Sequence, residues 1–379
     1  MRFFILLSLS LLFLTSCKDE KKDNNPNSGV QVTPENLKYA KGFSIKNHKN
    51  HTEIVVTSPW PQSQDAFRYI LVDNEEDIPK FVEAAIVILR PIGKVVAMST
   101  TNIPALEYLN LENRLVGFPG TKYISSEKTR TLIDEGTIKD LNNDLEINME
   151  LFLELQPDIV IAFTVNGKNK SLKQIEKYGF PIVLDGSWTE EHPLGRAEWI
   201  KFLGAIFNKQ DEANALFEDI EADYLEAKQL ALEVNEKPII FSGSMFNDVW
   251  NVPGGRSYMA QYFHDANTNY LWKDDTSNGS IQLNFENVLE HAQQADLWIG
   301  GGSFQTLEAM KNSHKGYSYF DAYKNKNIYT YTKKIGPKGG LMFYELGPLR
   351  PDLILKDIIN ISHPGLLDDY DNYFFKRLD

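Results

Sequence analysis

Glu150 and Glu286 occupy matching places in two distant stretches of the chain. The first reads Asn148-Met-Glu-Leu-Phe-Leu-Glu-Leu-Gln-Pro-Asp158 and runs into Ile159-Val-Ile-Ala-Phe163. The second reads Asn284-Phe-Glu-Asn-Val-Leu-Glu-His-Ala-Gln-Gln-Ala-Asp296 and runs into Leu297-Trp-Ile-Gly300. Each opens on an Asn suited to cap a helix, places an acid in the first turn, and ends in Asp before an apolar run. A single first-turn acid complements the helix dipole and contributes roughly 0.3–1 kcal/mol, which needs no function. Two of them at equivalent places on two lobes are fixed negative charges suited to a partner carrying arginines at matching separation.

A second set of residues could bind. Phe163, Trp188, Trp250 and Phe304 fall at the ends of expected strands, with Tyr258 and Trp272 close behind. Broad aromatic faces suit a bulky ligand with much apolar area, such as a corrin, a porphyrin or an iron chelate. Trp298, inside its strand, is assigned to the core. Gly254-Gly255, Gly300-Gly-Gly302 and Gly339-Gly340 complete no phosphate-binding pattern and read as tight turns, with Arg256 and Lys338 beside them as candidates for an anionic ligand.

Catalysis and resident metal chemistry find little support. There is no Gly-x-Ser-x-Gly elbow, and the one cysteine is Cys17. The seven histidines are scattered, without a His-x-His pair, so a zinc- or manganese-binding protein is the weaker alternative. No catalytic residue, no metal site and no resident cofactor are expected. A formal charge of −13 with no basic stripe argues against nucleic acid as a partner.

The elements that must position these residues alternate. Lys94–Met98, Leu115–Phe118, Asp158–Phe163 and Pro181–Leu184 read as short buried strands between helical stretches, the pattern of an α/β lobe with a mainly parallel sheet. The alternation restarts at Lys237 and closes with a strand at Asn327–Thr332 and a helix at Leu349–Ile361. Ser257–Trp272 reads as helical. Gln210–Val234 runs 25 residues without proline or glycine, about 37 Å as a helix, and joins the two halves. Ahead of both, Phe43–Ile45, Thr52–Thr57 and Phe67–Val72 read as a small antiparallel addition.

The amino terminus has its own grammar. Arg2 precedes an apolar run, Phe3–Phe13, too short to span a bilayer, and Leu14-Thr-Ser-Cys17 resembles a bacterial lipobox. Cys17 is therefore expected to carry lipid, and cleavage before it would remove Arg2 and leave a charge of −14. The polar run after Cys17 reads as a disordered tether. Its start, Lys18-Asp19-Glu20, resembles the acidic signal that sends some bacterial lipoproteins to the cell surface. The expected organisation is a signal peptide at 1–16, lipidated tether at 17–36, β addition at 37–90, first lobe at 91–192, helical linker at 193–236 and second lobe at 237–379.

Together these features resemble the substrate-binding proteins of ABC importers for ferric siderophores and vitamin B12, the class whose two Rossmann-like lobes are joined by one long helix. The likeness runs from about Pro91 to Pro364. Its best line is Leu155-Gln-Pro-Asp158-Ile-Val-Ile-Ala-Phe163, similar to the family's helix ending in Lys-Pro-Asp before an apolar strand. Gly179-Phe-Pro-Ile-Val183, Asp211-Glu-Ala213 and Ala295-Asp-Leu-Trp-Ile299 agree with it. The resemblance implies a non-enzymatic monomer that captures a ferric siderophore, haem or cobalamin between its lobes. It also implies that Glu150 and Glu286 dock onto arginines of an ABC permease dimer. Paired docking acids argue for the periplasmic side of a membrane. The alternative is a surface-exposed lipoprotein that hands ligand to an outer-membrane TonB-dependent transporter.

Overall fold

Short runs of Val, Ile and Phe bounded by glycine and polar turns set the strands of three five-stranded sheets. The computed structural model describes residues 33–34, 37–80 and 84–379; the leader, Cys17 and Lys18-Asp19-Glu20 lie outside them. The first sheet holds β1 (Thr33–Pro34), β2 (Phe43–Asn47), β3 (Thr52–Val56), β4 (Phe67–Val72) and β5 (Ala85–Leu89), in that order. Three pairings are antiparallel as expected, but β4 and β5 run parallel. The sequence reading lacked β5. The chain between Val72 and Ala85 is long enough to return to the same end of the sheet, which a parallel pairing requires.

This addition is keyed to the rest of the protein by two buried acids. Glu198 Oε2 accepts the main-chain N–H groups of Tyr39 at 2.7 Å and Ala40 at 2.8 Å, and Oε1 that of Lys38 at 2.9 Å. Glu190 Oε1 accepts those of Lys41 at 2.9 Å and Gly42 at 2.8 Å. Phe43, on the sheet's inner face, packs with its ring centroid 4.5 Å from that of Trp199.

The second sheet comprises β6 (Val95–Ala97), β7 (Leu115–Phe118), β8 (Lys139–Asp140), β9 (Ile159–Ala162) and β10 (Ile182–Leu184). Its order is β10-β9-β6-β7-β8 and every pairing is parallel. The second half contributes β11 (Ile239–Phe241), β12 (Ser244–Phe246), β13 (Val249–Pro253), β14 (Asn269–Tyr270), β15 (Ser280–Leu283), β16 (Leu297–Ile299), β17 (Ile328–Thr330) and β18 (Lys376–Arg377). There β14-β11-β16-β17-β18 form one sheet, parallel except for β18, while β12-β13-β15 form a small antiparallel extension. In the β10-β9-β6-β7-β8 and β14-β11-β16-β17-β18 sheets the chain winds outward from its first strand and then crosses to the other side. That places a crevice at the carboxyl ends of β6 and β9, and another at those of β11 and β16.

Helix Gln210–Leu232 lies between the two halves. Ala213, Phe217, Ile220, Tyr224, Ala227 and Ala231 form its buried stripe, packed against helices Ile200–Ile206 and Pro351–Ser362. Tyr224 donates to Asp265 at 2.7 Å, tying it to helix Tyr258–Asp265. That helix stops well short of the expected Trp272. Asn267 takes a left-handed φ of 55°, and its amide donates to Ala231 O at 2.9 Å and Val234 O at 2.8 Å, so the chain turns into β14.

Candidate functional site

Both halves build the repeated unit with the same parts. Asn148 Oδ1 caps helix Met149–Leu155 by accepting from Leu151 N at 3.2 Å, and Asn284 Oδ1 caps helix Phe285–Ala292 by accepting from Asn287 N at 2.8 Å. Glu150 and Glu286 follow in the first turns, both exposed. The closing aspartates are equivalent as well. Asp158 Oδ2 accepts from Lys94 N at 2.8 Å and Asp296 Oδ2 from Ile239 N at 2.8 Å, each joining one central strand to the start of its neighbour. Asn148 N donates to Leu141 O, just past the carboxyl end of β8. Glu150 therefore stands on the same edge of the sheet as Phe163, although the two lie at opposite ends of the motif in sequence.

The structure brings only two of the expected aromatics to one pocket. Trp188, from a short 3-10 turn, and Tyr258, from the start of its helix, line a cavity of about 250 Å³ where the first half meets the second. Phe163 is half-buried immediately after β9. Trp272 follows β14 and packs edge-on to Tyr270 at 5.9 Å. Phe304, in the loop after β16, packs edge-on to Tyr317 at 6.2 Å.

Trp250 does not belong to a cleft. It is fully buried, 5.2 Å from Trp298 in a stacked pair, and its Nε1 donates to Ser242 O at 3.1 Å. The strand runs from Val249 to Pro253, so Trp250 is its second residue and points to the inner face, where the two-residue alternation sends it. Trp298 is in the core as expected.

Three participants were not singled out in the sequence. Arg196 lines the pocket of Trp188 and Tyr258. Its Nη2 donates to Trp188 O at 2.7 Å and its Nε to Glu190 O at 3.1 Å, while the guanidinium lies 3.5 Å from the Tyr258 ring centroid. Burial pulls its pKa downward, yet a guanidinium stays charged at neutral pH. One signal was available: Arg196, Glu198 and Lys201 interrupt an otherwise apolar helical stretch. The other two form a clasp at a second, larger inter-lobe cavity of about 800 Å³, lined by Glu107, Tyr108, Ser125, Lys333, Lys334 and Glu345 among others. Glu345, from the second half, accepts from Ser125 N at 2.7 Å and Ser126 N at 2.8 Å in the first. Gly340 makes this approach possible, since a Cβ there would lie 2.3 Å from Tyr123 O. Nothing in the local sequence around Glu345 announces a partner 220 positions away.

Of the two basic candidates beside glycine turns, Arg256 reaches Glu191 only at 3.5 Å on an exposed rim, and Lys338 is exposed.

A family model described as periplasmic binding protein matches residues 95–335. An uncharacterised lipoprotein of Methanocaldococcus jannaschii is 26% identical over 407 residues, covering 98% of this chain and 95% of that protein. The vitamin B12-binding protein of Vibrio parahaemolyticus is 24% identical over 192 residues, 48% of this chain and 67% of that one. A periplasmic heme binding protein from Pseudomonas aeruginosa superposes with a TM-score of 0.58 at 16% identity, over 76% of this chain and 99% of its own, a likeness of fold.

Proposed function

Because this chain belongs to the periplasmic binding protein family, we propose that it is the lipid-anchored capture component of an ABC importer. It takes a ferric siderophore, haem or cobalamin between its lobes and delivers it to the permease. One observation carries the reading: Trp188 from the first half and Tyr258 from the second line a single pocket, so a ligand held there touches both halves. A relative named for vitamin B12, together with a fold shared with a heme-binding protein, supports this ligand range. The exposed, equivalently capped Glu150 and Glu286 support docking to a cationic partner surface. A relative named as a lipoprotein supports lipid on Cys17. Capture of this kind needs no catalytic group.

Titration of the soluble domain with haemin, cyanocobalamin and a ferric siderophore, followed by tryptophan fluorescence and ligand absorbance, tests the proposal. Saturable binding at micromolar concentration or tighter by one of them is expected. Absence of binding by all three overturns the ligand assignment.

Lys18-Asp19-Glu20 favours a second reading, in which the lipoprotein faces outward and passes ligand to an outer-membrane transporter. Protease shaving of intact cells separates the two. Loss of the protein under shaving overturns the periplasmic location.

A further inference from the structure

Away from the space between the lobes, one flank of the first lobe combines an apolar groove with unpaired cations. The groove, a cavity of about 390 Å³, lies between β5 and β10, each the edge strand of its sheet. Ile86 lines it from β5, Ile182 from β10, Leu172 from helix Lys170–Lys177, and Phe180 from the turn that follows. Trp60 and Phe67, edge-on at 5.8 Å, complete the wall, and both are only half-buried. Gly167 takes a left-handed φ of 71° and lets its loop approach the indole, since a Cβ there would lie 3.0 Å from Trp60 Cζ2.

The cations sit on the helix that borders this groove. Lys170, Lys173 and Lys177 keep helical spacing on one side of it, Lys168 precedes it, and all four are exposed. Lys173 lines the groove itself, as does Glu176, the one acid on the helix. Lysines elsewhere pair with acids, as Lys128 does with Glu112 and Lys324 with Asp321. These four have no ion-pair partner among the described residues. The sequence reading found no basic stripe in a chain of charge −13; this one is short and forms only on the helix surface. A soluble polyanion would answer the lysines and leave the groove exposed, and an apolar peptide would do the reverse. A lipid leaflet with anionic headgroups answers both, and lysine beside tryptophan is the composition of surfaces that lie on membranes.

We propose that this flank rests on an anionic membrane leaflet, with Lys168, Lys170, Lys173 and Lys177 against phospholipid headgroups and the groove taking an acyl chain beside Trp60. The reach of the chain allows it. Cys17 precedes Thr33 in β1 by 16 residues, which span at most roughly 55 Å. Strands β1 and β5 are the two edges of one five-stranded sheet, about 19 Å apart. Lipid on Cys17 and the groove beside β5 therefore reach the same membrane. The inference draws on the proposed lipid anchor for its setting, and it fixes which side of the first lobe faces the bilayer.

The test uses the compact unit Val32–Asp379, which lacks Cys17, so that no attached lipid contributes. Sedimentation with vesicles of phosphatidylcholine alone, or of phosphatidylcholine mixed with phosphatidylglycerol, measures binding at low ionic strength. Binding to the mixed vesicles and not to the neutral ones is expected, and added salt should weaken it. Each lysine near an anionic leaflet is worth about fivefold in affinity, so changing all four to Gln should weaken binding by roughly tenfold or more. Phosphatidylglycerol brominated on its acyl chains should quench tryptophan fluorescence, and Trp60→Phe should remove most of that quenching. Thermal melts check that both variants fold. No binding to the mixed vesicles, undiminished binding by the folded lysine variant, or quenching unchanged in Trp60→Phe overturns the proposal. Binding without any quenching marks a surface for polyanions in general and overturns it as well. None of these outcomes bears on the haemin, cyanocobalamin and siderophore titrations, which judge the capture function separately.

Discussion

The Glu345 carboxylate of the second half receives the main-chain N–H of Ser125 in the first half at 2.7 Å, and that of Ser126 at 2.8 Å. Ser126 also caps helix Glu127–Asp134, so an acid from one lobe completes a helix entry in the other. Glu345 is almost wholly buried. Burial pushes its pKa up to about 7, against the two N–H bonds, which favour the charged form.

The clasp should therefore respond to mild acid. A carboxyl that binds its proton more tightly folded than unfolded contributes most to stability below its unfolded pKa. That contribution is lost as pH rises through about 7. Glu345→Gln removes the titration, so the stability of the variant relative to wild type should climb between pH 4.5 and 7. The rise should total about 3 kcal/mol at most. Denaturant unfolding of both proteins across that range measures it, and a flat difference rejects the assignment.

Glu150 and Glu286 should matter to transport and not to folding. Both are exposed, so reversing each to Lys should cost at most about 1 kcal/mol apiece through the helix dipole. The double variant should keep ligand affinity in fluorescence titration and lose uptake in cells. Normal uptake by that variant rejects permease docking.

Trp250 should behave as core. Trp250→Ala is expected to lower the unfolding free energy by about 3–5 kcal/mol. Trp250→Phe, which retains most of the apolar volume, should leave ligand affinity unchanged in titration. A tenfold loss of affinity in a folded Trp250→Phe protein would return this residue to the binding site.

Glu198→Ala should loosen the N-terminal sheet. Its carboxylate holds Lys38, Tyr39 and Ala40 by their main-chain N–H groups and pairs with Lys201 at 2.9 Å. Removing it leaves buried donors and a buried cation unanswered, a loss of about 3–5 kcal/mol. Hydrogen exchange should accelerate at residues 38–42 before the rest of the protein.

Much of the architecture was legible because it is written in local periodicity. Val95–Ala97, Ile159–Ala162 and Leu297–Ile299 are short apolar runs between helices, and such runs have few homes outside a parallel sheet. Asn148 and Asn284 act as caps through contacts three residues away, so their signal is local. The parallel β4–β5 pairing, the two-residue strands β14 and β18, and the early end of helix Tyr258–Asp265 depend on partners far along the chain, and periodicity does not reach them.

The site divides in the same way. Sequence by itself determined which residues carry aromatic faces and exposed first-turn acids, because side-chain type and helix position are local properties. Only the tertiary structure decided that Trp250 faces the core while Trp188 and Tyr258 share a pocket. It also set Arg196 against Tyr258 and Glu345 against Ser125. Those pairings unite residues 62 and 220 positions apart. Closing such distances is the work of the folded core, and a buried charge finds its partner only once that core has formed.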